Sequence, residues 1–258
     1  MFNFPKAKLG DVTAITISSP DLEKSLRYYQ QLGFAEVQRM DFPFPWIQIS
    51  DDALLIMLRQ DKNPYIALTY YTQFIAMDKV ISELESAGIK FSSKPKKVDM
   101  VKKYLFQSPD NWNISIVSNV EDIFKQPSGP TMLNMPQEDY FKPEKYVNKV
   151  CGLYGEFAHP VTDLGKSISF WEKLGFKALS KHSSPYPWAI ISDGLAIVGL
   201  HQTKDFSVPT ITFFASDMKN KIEKLKQQGL NNFSEKNDCN IVLTTPEQQK
   251  INLFKLGM

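Results

Sequence analysis

The sequence predicts an α+β protein made by tandem duplication: two domains, each assembled from paired βαβββ modules, four modules in all. Three observations lead there. A capped amphipathic stretch, Ser19 to Phe34, returns as Thr162 to Phe176. The landmarks that follow it recur in the same order. Within each copy, strand-like alternation and helix-like spacing succeed one another in one fixed pattern.

The repeated stretch reads as a helix with both ends marked. Asp21 and Asp163 are N-cap candidates, their carboxylates placed to accept from free N–H groups of the first turn. Leu22, Leu26 and Tyr29, and likewise Leu164, Ile168 and Trp171, make an apolar stripe for a sheet to cover. Gly33 and Gly175 stop each helix where a left-handed residue costs least.

From Asp21 and Asp163 the register runs without a gap. Leu32 matches Leu174, Pro43 to Trp46 match Pro185 to Trp188, Ile49 to Asp51 match Ile191 to Asp193, and Gln60 matches Gln202. Gly88 with Gly229, and Pro109 with Pro246, keep nearly the same register, so small deletions fall in the loops between. In the first copy, Val12 to Ser18 alternates as a strand ahead of the helix. Ala35 to Met40, Trp46 to Ser50, Ala53 to Leu58 and Tyr65 to Phe74 follow as strands. Met77 to Ala87 is a second amphipathic helix, and strands near Phe91, Lys103 to Gln107 and Asn113 to Val117 complete the copy. Helices on the outer face leave the other face of a curved mixed sheet to form a cleft. The domains are expected at 1–118 and 151–258. A linker at 119–150, marked by Pro127, Gly129, Pro130, Pro136 and Pro143, is expected to lie over the surface.

Composition narrows the function. At 258 residues, 43% hydrophobic and 22% charged, the chain is long enough for two ordinary domains. A net charge of +2, spread over both halves, gives no case for nucleic acid. The cluster Lys94, Lys96, Lys97, Lys102 and Lys103 is broken by Asp99 and reads as a solvated hairpin. No apolar run reaches membrane-spanning length and the N-terminus lacks a cleavage pattern, so a cytoplasmic protein is expected. Cys151 and Cys239 have no metal or redox spacing and are expected to be buried thiols.

The segments ITISSPDLEKSLRYYQQLGF and FAHPVTDLGKSISFWEKLGF, with SPDNWNISIV and TPEQQKINLF, resemble the vicinal oxygen chelate superfamily: glyoxalase I, extradiol dioxygenases, and fosfomycin- and bleomycin-resistance proteins. The resemblance covers nearly the whole chain outside the linker and the first residues. It implies the fold more firmly than any activity, because that scaffold hosts several chemistries and a metal-free binding class. Its enzymes hold a divalent metal with His, Glu or Gln side chains on three strands of a domain. Carried over from the helix-start Asp, the glycine stop and the proline, those positions fall on Ala14, Thr69 and Ser115 in the first copy. In the second they fall on Glu156, Thr210 and Asn252. Neither set matches the imidazole or multiple carboxylates of a tight transition-metal site. The expectation is no cofactor, with a divalent metal conceivable only in the second domain through Glu156 and His201.

Glu156 is the sharpest single residue, a candidate catalytic base or surviving ligand; its bland alternative is a carboxylate paired to Thr210 or a lysine. His201 stands opposite Arg59 of the first copy, each at a cleft rim, where it could bind an anionic group or simply meet solvent. His159, of opposite parity to Glu156, is expected to face a helix. His182, in a Ser-rich turn, carries no signal. Trp46 and Trp188 open strands beside the cleft and, with Tyr71, could wall a planar ligand or merely pack. The expected function is a metal-free small-molecule-binding protein. Its ligand contacts are expected from Trp46, Arg59, Thr69, Tyr71, Ser115, Trp188, His201, Thr210 and Asn252. The alternative is a lyase, isomerase or dioxygenase acting at the second copy. Four modules can pair within one chain, so a monomer or weak homodimer is expected, with no nucleic acid or membrane partner.

Overall fold

A computed structural model describes residues 8–42, 44–73, 75–118 and 125–257. Pro43, Phe74 and the linker start, Asn119 to Phe124, lie outside the described residues. The first copy runs β1 (Val12–Ser19), α1 (Leu22–Gln31), β2 (Ala35–Met40), β3 (Trp46–Ser50), β4 (Leu55–Gln60), β5 (Ile66–Thr72), α2 (Met77–Ser86), β6 (Phe91–Ser93), β7 (Lys103–Gln107) and β8 (Asn113–Ser118). The second repeats this order as β9 (Leu153–Pro160), α3 (Leu164–Lys173), β10 (Lys177–His182), β11 (Trp188–Ser192), β12 (Ile197–His201), β13 (Thr210–Ala215), α4 (Met218–Gln227), β14 (Phe233–Asn237), β15 (Asn240–Thr244) and β16 (Lys250–Lys255). Each copy forms one eight-stranded mixed sheet. The orders are β2-β3-β4-β1-β5-β8-β7-β6 and β10-β11-β12-β9-β13-β16-β15-β14. In the second module of each copy the outer strands pair in parallel, β5 with β8 and β13 with β16.

The helix signals act as read. Asp21 Oδ1 accepts from Lys24 N and Asp163 Oδ1 from Lys166 N, each at 2.9 Å. Of the predicted stripes, Leu26 with Tyr29 and Ile168 with Trp171 are buried, while Leu22 and Leu164 at the helix starts are half-buried and Ser25 and Ser167 are buried in addition. Gly33 and Gly175 take φ of +86° and +96°. The fourth strand begins at Leu55 rather than Ala53. Asp51 Oδ1 accepts from Ala53 N and Leu54 N, and Asp52 turns at φ +68°, so the turn consumes two more residues.

Strand pairing follows the copies, whereas compactness interleaves them. One unit comprises Met1–Ile15, Ile66–Gln126 and Ala158–Pro209; the other comprises Thr16–Tyr65, Pro127–Phe157 and Thr210–Met258. In the first unit, Asp110, from the β7–β8 turn, accepts from Thr162 N and Oγ1 through Oδ1 and from Ser167 Oγ through Oδ2. In the second unit, Glu247, from the β15–β16 turn, accepts from Ser25 Oγ at 2.7 Å and Tyr29 Oη at 2.8 Å. A hairpin of one copy thus holds the first helix of the other. The turn aspartates are also served across copies in the first unit: buried Asp193 accepts from Tyr70 Oη at 2.7 Å. In the second unit, buried Asp51 accepts from Asn148 Nδ2 at 2.9 Å. Burial pushes both carboxyls above the usual range.

That role for Asn148 corrects the picture of a linker lying over the surface. Its described part holds 3-10 turns at Gln137–Asp139 and Pro143–Lys145, and it buries Met135, Tyr146 and Asn148. Asn148 also donates to Leu32 O, and its Oδ1 accepts from Val150 N and Cys151 N. The segment's apolar and hydrogen-bonding side chains pull it inward despite its prolines. It enters β9 through Gly152, whose φ of +105° and close approach to Phe214 O leave no room for a Cβ. Cys151 is buried as expected, but Cys239 is only half-buried, because it sits in the β14–β15 turn. The lysine cluster is solvated, and no helix among the described residues is long and apolar enough to cross a membrane.

Candidate functional site

The first copy's site begins with a hydroxyl pair. Thr69 on β5 and Ser115 on β8 are direct partners across the parallel pair, 2% and 0% exposed, and their oxygens are 2.8 Å apart. Thr13 Oγ1 donates to Thr69 O beside them. Ala14 and Tyr71 are buried in the same compact unit.

In the second copy the equivalent partners are Thr212 and Asn252, with Asn252 Nδ2 donating to Thr212 Oγ1 at 3.2 Å. Thr210 does not face Asn252; it pairs with Lys250. Counting back from Gly229 misplaces the position by two residues, because the connection from β13 to α4 (Ala215 to Met218) is shorter than that from β5 to α2 (Thr72 to Met77). A shift of two keeps the sheet face and so leaves the parity argument intact. Glu156 lies on β9 in the same unit as this pair and is 5% exposed. After burial, its carboxylate is the next cause that pushes the neighbouring Tyr154 phenol above its ordinary range.

Arg59 departs from its expected role as a fixed positive charge at a rim. Its Nη2 lies 2.6 Å from Asp61 Oδ2, and its guanidinium sits over the rings of Phe44 and Tyr65 at 5.5 and 5.2 Å. The Asn63 amide first, and then Arg59, hold the Asp61 carboxyl below the usual range. The pair is therefore close to neutral toward a ligand. Arg59 is the cross-strand partner of buried Trp46.

The matching ladder in the second copy joins His182, Trp188 and His201. His182 stacks on Trp188 with centroids 4.0 Å apart, and His201 lies parallel to Trp188 at 5.8 Å. Tyr186 and Phe206 meet His201 edge-on. His182 is thus a member that sequence reasoning missed; its place three residues before Pro185 of the Pro-aromatic-Pro turn was the available signal, since hairpin pairing brings it onto Trp188. His201 and Glu156 belong to different compact units. His159 faces α3 as expected, with its ring 5.8 Å from Trp171 and 6.1 Å from Trp112. Burial, and secondarily the charge of His201, pull its pKa down to about 3. A cavity of about 240 Å³ opens beside Lys8, Leu84 and Lys173, and no candidate site residue lines it.

Residues 12–116 match the model of the Glyoxalase/Bleomycin resistance protein/Dioxygenase superfamily. The first copy belongs to that superfamily. No curated protein matches the sequence. Among solved structures, the homoprotocatechuate 2,3-dioxygenase of Arthrobacter globiformis is similar at 14% identity and a TM-score of 0.61, covering 98% of this chain and 81% of its own. The 2,3-dioxygenase LapB of Pseudomonas sp. KL28 gives 14% and 0.61, over 95% and 91%. A catechol 2,3-dioxygenase gives 14% and 0.57, over 96% and 92%. At such identity the likeness shows the fold alone, two repeated α+β domains each with an eight-stranded mixed sheet.

The superfamily's metal can be tested against the donors present. Ala14, Thr69 and Ser115 supply two neutral hydroxyls, already bonded to one another. Glu156, Thr212 and Asn252 supply one carboxylate, with the other two again bonded together. Among the described residues no group of three or more His, Cys, Asp or Glu side chains could hold a metal ion. These donors do not fit a divalent transition metal.

Proposed function

We propose that the chain binds a small molecule without a metal, on the faces of its two sheets that carry the hydroxyl–hydroxyl and amide–hydroxyl pairs. One observation carries this reading: where the superfamily's enzymes place metal ligands, Thr69 with Ser115 and Asn252 with Thr212 spend their polar groups on each other. In the unit that holds Thr69 and Ser115, Tyr71 and the Trp188–His201 pair supply aromatic surface for a planar or apolar ligand, and Trp46 supplies it in the other. Elemental analysis of protein purified without chelator tests it. Less than about one metal per ten chains is expected. Stoichiometric metal that disappears in Glu156→Ala would overturn the reading.

A second reading rests on Glu156, a carboxylate 5% exposed on β9 where the first copy has Ala14. Buried at a cleft wall, it suits proton transfer in a lyase or isomerase. Turnover of a thiol-conjugated 2-oxoaldehyde, lost in Glu156→Gln, would favour this reading over simple binding. We also propose a monomer or weak homodimer, since each compact unit already draws on both copies within one chain. Light scattering is expected to give the monomer mass at micromolar concentration.

A further inference from the structure

We infer that Gln48 of the first copy is a hydrogen-bonding contact for the ligand, and that this ligand is a neutral planar molecule donating an O–H or N–H to the Gln48 carbonyl. This deepens the small-molecule reading above and rests on it. Gln48 lies in the middle of β3 and is 1% exposed, yet its Oε1 accepts no hydrogen bond. A buried carbonyl without a donor destabilises the fold, and buried acceptors are normally satisfied by protein, water or ligand.

The fold itself does not require an amide there. The equivalent residue on β11 is Ile190, reached in unbroken register from Trp46 and Trp188. Its surroundings suit a flat, largely apolar molecule. Gln48 pairs with Met57 on β4 and Gln38 on β2, and the next row is Met40, Trp46 and Arg59. Met57 and Trp46 are nearly buried, while Met40 is 39% exposed and the Arg59 side chain 23% exposed, so this row leads toward solvent. Because Asp61 already neutralises Arg59, the patch offers no free cation, and an uncharged ligand suits it better than an anion. The two residues that set the character of the patch, Gln48 and Arg59, both differ from their second-copy counterparts, Ile190 and His201. The preference therefore belongs to the first copy alone.

Fluorine NMR titration with 4-fluorophenol and 4-fluoroanisole separates donation from simple apolar contact, because methylation removes the donor and keeps the ring. Wild type is expected to bind the phenol about tenfold more tightly, the scale of one added hydrogen bond. In Gln48→Ile, which copies the second copy's residue, the two probes should agree within about twofold. Melting of the ligand-free variant should occur no lower than wild type, since an unsatisfied acceptor is removed. Gln48→Met, unbranched and close in volume, repeats the test if the β-branched side chain disturbs packing. Equal affinity for both probes in wild type, or a phenol preference that survives both variants, overturns the assignment of Gln48 while leaving small-molecule binding intact. Absence of binding by either probe overturns it as well, and a metal dependence of binding would instead defeat the underlying metal-free reading.

Discussion

Replacing His159 by Phe should remove a large part of the acid sensitivity of this protein. The imidazole is fully buried against Trp112 and Trp171, and its pKa falls from an ordinary 6.5 to about 3. As pH drops, the unfolded chain therefore takes up this proton first, and the folded state is penalised between about 6.5 and 3. Stability from the neutral imidazole is complete above pH 6.5 and is lost progressively below it. One proton of difference gives a slope of about 1.4 kcal/mol per pH unit, so the full window is worth roughly 5 kcal/mol. That is a large share of the total for a typical domain. Urea melts of wild type and His159→Phe at pH 7, 6, 5 and 4 isolate the effect, because the contributions of distant carboxylates cancel in the difference. The variant should gain on wild type by about 1 kcal/mol for each unit below pH 6. Parallel stability curves would refute the argument, showing that His159 can be protonated in the folded protein.

Glu247→Ala should cost about 2–3 kcal/mol in urea denaturation by leaving Tyr29 Oη short of its carboxylate partner; adding Tyr29→Phe should cost less than it does alone, with coupling of about 1 kcal/mol. For Asp193, whose folded pKa is raised by burial, stability falls as pH rises from 3.8 through that raised value, so Asp193→Asn should compare better with wild type at pH 7 than at pH 4 in thermal melts. Gly152→Ala should lower stability by more than about 3 kcal/mol or prevent folding, since a Cβ would lie 2.5 Å from Phe214 O at a φ of +105°; near-normal circular dichroism melting would contradict this. Thr212→Val should alter ligand affinity more than Thr210→Val, by about 1 kcal/mol in calorimetry, because Thr212 Oγ1 accepts from Asn252 Nδ2 whereas Thr210 stands opposite Lys250 in the strand register.

By itself the sequence determined what local chemistry enforces. Asp21 and Asp163 cap, Gly33 and Gly175 stop, and the apolar stripe between them buries, because each acts within one or two turns of its own helix. The internal repeat then carried one reading of strands and helices onto the second copy. The Arg59–Asp61 pair, by contrast, was not read from the sequence, which left Arg59 as a rim cation although Asp61 stands only two residues away. What the tertiary structure alone decided depends on distance along the chain and on loop length. Thr212 replaced Thr210 because a count through a shortened connection cannot see hydrogen-bond register. Glu247 reaches Ser25 and Tyr29, Tyr70 reaches Asp193, and Asn148 turns a proline-marked linker inward. That Gln48 is buried with its carbonyl lacking a donor shows only in the folded chain. Such partners are selected by which polar groups remain unpaired after the sheets close, and only the folded chain brings them within 3 Å of one another.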